Sequence, residues 1–407
     1  MRNVILGITA AAALVFAQPA TADTVSDWWE FANKLAPLGG GGTPDQMRST
    51  SRASLAMFEA LNAIDRRYET YLNLPQGDPT ASQDAAAATA AYLVLVQHYP
   101  NHKAALDDSY AIAMQAIPDA ARREAGRLIG EQAAAAAMAA GGIDPAIAQT
   151  PYRPVTRPGQ WISTPLPQIE PFMSAFRPWA IPSAEALRPP PPPALDSAAW
   201  ARDYDEVRRV GGRTSTERTP AQTLAARYRQ AFDLTPSMRL AADAPGRTPV
   251  QNARMFARYQ MAFDDAALAM SAAKAHYDFW RPITAIRNAD DDGNDATAPE
   301  AGWIPLLTTP NFAEYPCGHC TVAGALGEVM KDEVGARPAA GVRIASSAIP
   351  NSAVQVLPTW DAWVQEVSDS RIYGGVHYRF SNDAGEAIGR AAARTVLDKV
   401  MRPLPRR

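Results

Sequence analysis

Alanine-rich stretches whose larger apolar residues recur every three or four positions fill most of this 407-residue chain, while alternating runs of Val, Ile and Thr are scarce. The first pattern lays an apolar stripe along a helix, and the second is what a strand requires, so the chain reads as all-α. From Ser51, the residues Leu55, Phe58, Leu61, Ile64 and Tyr68 fall on one such stripe, which predicts a helix buried along one side. Further helices are expected over 83–98, 102–114, 119–140, 198–210, 220–232, 250–278, 321–334, 359–374 and 383–400. Between them, residues 151–193 are proline-rich and end in five consecutive prolines, which cannot continue a helix and favour an extended conformation. The length exceeds what one core usually serves. The expected plan is therefore two helical bundles, an N-terminal region over 23–150 and a C-terminal domain over 198–407, joined by a strap over 151–197.

The first 22 residues carry Arg2, an apolar stretch from Val4 to Phe16 and the small residues Ala20-Thr21-Ala22, the pattern of a cleaved signal peptide. The apolar stretch is short for a membrane span, so the expectation is an exported chain, periplasmic or secreted, starting near Asp23 and lacking a later transmembrane segment. With 39 basic and 42 acidic residues and no basic run, nothing tracks a nucleic-acid backbone. The expected partners are small molecules, and a homo-oligomer is left open. Only Cys317 and Cys320 are present, so no disulfide scaffold exists.

Three segments of the last third carry the chemistry: Lys274 with Arg281-Pro282, then Pro316-Cys317-Gly318-His319, then Ser370-Arg371 with His377. Lys274 and Arg281 stand seven apart, two helical turns, and can share a face if one helix runs on to Pro282. Lys offers a compact charge and Arg a planar fork, and Arg371 adds a second fork, so together they suit a tetrahedral oxyanion. Gly318 lets a backbone amide approach that anion ahead of a helix starting near Thr321, whose N-terminus favours negative charge. His319 is then placed for acid/base work, and His377 for coordinating a metal oxyanion or attacking phosphorus. His276 flanks the first segment, and His98 and His102 look incidental.

In this order and spacing the segments resemble the signature of the vanadium-dependent haloperoxidase and type 2 phosphatidic acid phosphatase superfamily. The helix over 53–64, the segment 188–195 and residues 203–207 with 215–219 are similar to its soluble bacterial haloperoxidase-like branch. The resemblance implies that Lys274, Arg281, Cys317, Gly318 and Arg371 bind the oxyanion, that His377 ligates vanadium in a vanadate cofactor, and that His319 is the acid/base. It implies peroxide-dependent halide oxidation. The alternative is an acid phosphatase or phosphatidic acid phosphatase, which needs no cofactor and hydrolyses a phosphomonoester through a phosphohistidine on His377. Vanadate and phosphate share shape and charge, so these residues alone do not separate the two.

Cys317 stands where the family usually has Ser, and a thiol is a weaker donor that peroxide oxidises. A disulfide with Cys320 would pin the turn and remove that donor altogether. The Cys-Gly-His-Cys run also matches a dithiol exchange motif, without the surrounding βαβ pattern. To orient His377, the family often has Asp four residues on; here Ser381 stands there and Asp383 follows, both equally natural as helix caps. Phe312 falls where haloperoxidases carry a pocket side chain, and also reads as a core aromatic. Residues 288–300 resemble a calcium loop with its closing glutamate one place late, so a solvated acidic turn is expected. A catalytically silent oxyanion binder is the third functional reading.

Overall fold

One 29-residue helix organises the molecule. In the computed structural model, which describes residues 23–36, 48–144, 154–163 and 175–405, thirteen α-helices form the framework. The expected signal segment lies outside the described residues. The N-terminal helices are α1 (Thr24–Leu35), α2 (Ser49–Ile64), α3 (Gln83–His98), α4 (Lys103–Gln115) and α5 (Ala120–Ala139). After the proline-rich stretch come α6 (Ala198–Gly211), α7 (Pro220–Tyr228), α8 (Thr235–Ala242) and the long α9 (Pro249–Tyr277). The chain closes with α10 (Pro282–Arg287), α11 (Gly318–Val334), α12 (Trp360–Tyr373) and α13 (Arg379–Lys399).

The all-α reading holds, with one small addition. A three-stranded antiparallel sheet, β1 (Phe232–Asp233), β2 (Val342–Ser346) and β3 (Gln355–Leu357), pairs Phe232 with Ser346 and Val342 with Leu357. These strands are two to five residues long, too short to stand out against the helical pattern. α2 departs from expectation in being buried on every face. Its small residues let α3, α5 and α9 approach from different sides, so the apolar stripe understated its burial. It ends at Ile64, before Tyr68.

α9 packs against α2 on one side and against α11 and α13 on the other. A single buried apolar cluster runs from Val25 in α1 through Phe256 and Met261 in α9 to Val396 in α13. Midway along α9, Asp265 accepts backbone N–H groups of Trp179 (2.7 Å), Ala180 (2.7 Å) and Ile181 (3.0 Å). Its neighbour Asp264 accepts from Ser51 Oγ (2.6 Å) and Trp179 Nε1 (2.8 Å). The segment beyond Ala175 is thereby clipped to the central helix, with Arg48 lying over the rings of Phe176 and Trp179.

α11 and α13 cross closely because glycine faces backbone at the crossing. A Cβ on Gly389 would lie 2.0 Å from Thr321 O and 2.7 Å from Ala325 N, and one on Gly385 would lie 2.5 Å from Cys317 O. Neither obstacle is a movable side chain. Gly389→Val should therefore force the helices apart and cost about 3 kcal/mol or more, read as a lowered urea midpoint at unchanged slope. An unchanged midpoint would show that the crossing is looser than described.

Candidate active site

α9 stops at Tyr277 because Asp278 takes a left-handed conformation (φ 44°). Arg281 then stands as the N-cap of α10, in the extended conformation that a following proline imposes. Lys274 and Arg281 thus meet through a turn between two helices, so the condition for a shared helical face, one helix running on to Pro282, is not met. Lys274 Nζ donates to the carbonyls of Ala313 (2.8 Å) and Glu314 (2.7 Å). Arg281 donates to Phe312 O through Nε and to Val376 O through Nη1, both at 2.9 Å. The Phe312 ring lies beneath both cations, 5.3 Å from Nζ and 4.9 Å from the guanidinium carbon. Phe312 is therefore half-buried against the cation pair.

Arg371, in the last turn of α12, is only 2% exposed, yet its Nε and Nη1 have no hydrogen-bond partner. Burial and the nearby Arg281 push its pKa down to about 9, and burial pushes Arg281 down to about 10. Both guanidinium groups stay charged at working pH. Lys274 is pushed well below its ordinary value by burial and by Arg281. Glu314 is the carboxylate set among these cations, so positive charge is in excess. A buried excess of this kind is costly until an anion enters.

His377, at the turn between α12 and α13, is held from behind. Its Nδ1 donates to Glu314 Oε1 at 2.6 Å, and the same oxygen accepts the Tyr378 N–H at 3.3 Å. Arg281 Nη1, which can only donate, lies 3.2 Å from Nε2, so Nε2 holds the lone pair and Nδ1 carries the proton. Burial and the surrounding cations hold the imidazole well below its usual pKa, hence neutral. Burial raises the Glu314 carboxyl to about 7. Of the two candidates named for orienting the ring, Ser381 lies beside the Glu314 carboxyl, and Asp383 sits near Arg379 and Arg202. Glu314 lies outside the three motifs, and its one sequence signal is an acid between Ala313 and Tyr315 in an apolar run.

Gly318 is the first residue of α11 rather than a residue ahead of it, so its amide is among those left without an intrahelical partner. Cys317 is the N-cap and forms a buried disulfide with Cys320. Its side chain therefore has no proton to give an oxyanion, which corrects its expected role as a side-chain donor; its Sγ instead accepts the Cys320 N–H at 3.2 Å. His319, one residue on, has Nε2 at 3.1 Å from Gln230 O. Burial, then Arg371, Arg281 and Lys274, push it down to about 3.

His276 is exposed against Tyr277 and takes no part. The loop is the solvated acidic turn expected, with Asp290, Asp291, Asp295 and Glu300 exposed, and one of its carboxylates anchors it. Asp292 is buried and accepts from Trp200 Nε1 (2.9 Å), Asn294 N (2.9 Å) and Thr297 Oγ1 (2.8 Å). No cluster of three His, Cys, Asp or Glu suited to a cation occurs among the described residues. Beneath the site, Trp200, Phe279, Trp280 and Tyr378 form an aromatic floor. The strap reaches it too: Tyr277 and Tyr315 donate their hydroxyls to the carbonyls of Pro189 and Pro190. Carbonyls of a proline run have no ladder partner, and these hydroxyls supply one.

A helical-bundle frame surrounds a buried, cation-rich nest with two imidazoles, an arrangement chemically suited to an oxyanion. Residues 254–405 match the model of the VCPO second helical-bundle domain. An 88-residue stretch is 31% identical to the vanadium chloroperoxidase of Curvularia inaequalis, covering 19% of this chain and only 14% of that protein. Among solved structures, the first bacterial vanadium-dependent iodoperoxidase superposes with a TM-score of 0.77 at 21% identity, covering 96% of this chain and 99% of the other. A holo-type bacterial vanadium-dependent chloroperoxidase gives 0.70 at 18% identity, covering 94% and 96%. The haloperoxidase resemblance read from the three motifs is borne out. The chain shares, over 94–96% of its length, the fold of these bacterial structures.

Proposed function

We propose that this chain is an exported vanadium-dependent haloperoxidase that uses peroxide to oxidise halide. The observation that carries the reading is the unpartnered buried guanidinium of Arg371, set with Lys274 and Arg281 around an imidazole whose unprotonated Nε2 faces the Arg281 guanidinium. A tetrahedral oxyanion with an acceptor atom at its centre satisfies both at once, so the residues fit vanadate. Bound vanadate would supply a d0 Lewis acid that polarises peroxide toward attack by halide. Lys274, Arg281, Arg371 and the Gly318 amide would hold its oxygens, and His377 Nε2 would ligate the metal. Halide oxidation by peroxide takes up one proton and releases water, and His319 is the imidazole free to pass that proton on. Export rests on the pattern of the first 22 residues, together with the finding that no helix among the described residues is long and apolar enough to cross a membrane.

The test reconstitutes the purified protein with orthovanadate and assays peroxide-dependent bromide and iodide oxidation beside p-nitrophenyl phosphate hydrolysis. Halide oxidation that appears only with vanadate, and that falls by about 100-fold or more in Arg371→Met, is expected. Vanadate-inhibited phosphate ester hydrolysis without halide oxidation would overturn the proposal in favour of the phosphatase.

A further inference from the structure

The turn joining α7 to β1 touches the site at one point, the carbonyl of Gln230. That carbonyl lies 3.1 Å from His319 Nε2. A carbonyl can only accept, so this contact places the proton on Nε2 and leaves Nδ1 as the nitrogen able to take one up.

The turn is held more firmly than an exposed connection requires. Arg229 has no exposed side-chain surface and reaches Glu366 on α12 at 2.6 Å and Gln355 Oε1 on β3 at 2.8 Å. Its guanidinium lies over the Tyr228 ring, whose hydroxyl donates to Ile344 O (2.7 Å) and Ala353 O (2.8 Å). On the other side, Phe232 pairs with Ser346 in the sheet and packs its ring edge-on against both His319 (6.0 Å) and Trp363 (5.3 Å). A fully buried guanidinium is an expensive way to fix a surface turn, even with a partly exposed carboxylate as its partner. Here it fixes the height and direction of one acceptor.

We propose that the turn Arg229–Ala231 is a positioning device for His319, with Arg229 and Glu366 as positioning residues that hold the Gln230 carbonyl so that the imidazole presents an unprotonated Nδ1. The inference deepens the role given to His319 under the proposed function and rests on it only for the effect on turnover. The groups acting on the ring are Arg371 from α12, Arg281 from the start of α10 and Lys274 from α9. All three are cations that hold it neutral, so the carbonyl decides the tautomer rather than the charge.

The experiment labels histidine with 15N in the full metal-free protein, assigns His319 by His319→Gln, and reads its two ring nitrogen shifts. In the parent protein Nε2 should be protonated and Nδ1 bare. In Glu366→Gln the shifts should move toward a mixture of tautomers, and kcat of the vanadate-loaded protein should fall on the order of tenfold at unchanged halide KM. Arg229→Lys should restore much of what Arg229→Leu loses, and Glu366→Gln keeps the test alive if Arg229→Leu does not fold. A protonated Nδ1 in the parent, or one fixed tautomer and unchanged kcat in Glu366→Gln, would overturn the proposal. The expected shifts without halide oxidation would instead count against the haloperoxidase function alone.

Discussion

His377→Ala removes halide oxidation, by on the order of 1,000-fold in kcat/KM, while inorganic phosphate still binds the metal-free protein within roughly fivefold of the parent. The two readouts separate because two kinds of interaction meet at this residue. Phosphate is held by charge, and Lys274, Arg281 and Arg371 all remain. Losing one neutral nitrogen near that anion costs about 1 kcal/mol. A metal centre depends instead on a lone pair delivered in one direction, and Nε2 is the nitrogen that Glu314 leaves free for it. Calorimetric phosphate titration beside the vanadate-loaded halide assay checks both halves. Turnover surviving within tenfold of the parent would remove His377 from the metal and with it the proposed reaction.

Glu314→Gln is expected to weaken vanadate retention by 10- to 100-fold, whereas Asp383→Asn changes it by less than threefold. An amide can still accept from His377 Nδ1, but it lacks the negative charge that makes the ring a stronger ligand, and its NH2 can rotate toward the imidazole. The variant also leaves Lys274 and Arg281 without their buried counter-charge. Equilibrium dialysis against vanadate gives the measurement. If Asp383→Asn matched Glu314→Gln, the hydrogen bond seen on Nδ1 would not be what tunes the ligand.

The same pair shows how far the sequence reached. Lys274, Arg281, Gly318, His319, Arg371 and His377 were all named from motif spacing, and most helices from period alone, with ends within a few residues. Hidden features depended on which element lies behind which. Glu314 comes from a loop 63 residues before His377, and nothing local marks that meeting. The Gln230 carbonyl is a backbone group on a turn 89 residues from His319, so its residue type carries no signal. The helical period does not mark α1, α8 or α10 either. The last two are eight and six residues long, too short for a stripe to register, and the twelve-residue α1 directly follows the expected signal segment. In each case tertiary contacts choose among options that the local pattern leaves open.

α9 carries Asp264 and Asp265, which clip the segment after Ala175, and nearly three turns further on Lys274, which lies in the cation-rich nest. Pulling on either end of that rod disturbs the other. The halves of the chain should consequently melt in a single calorimetric transition, and occupancy of the nest should raise that melting temperature for regions far beyond it. The folded protein is then as heat-resistant as its anion supply allows.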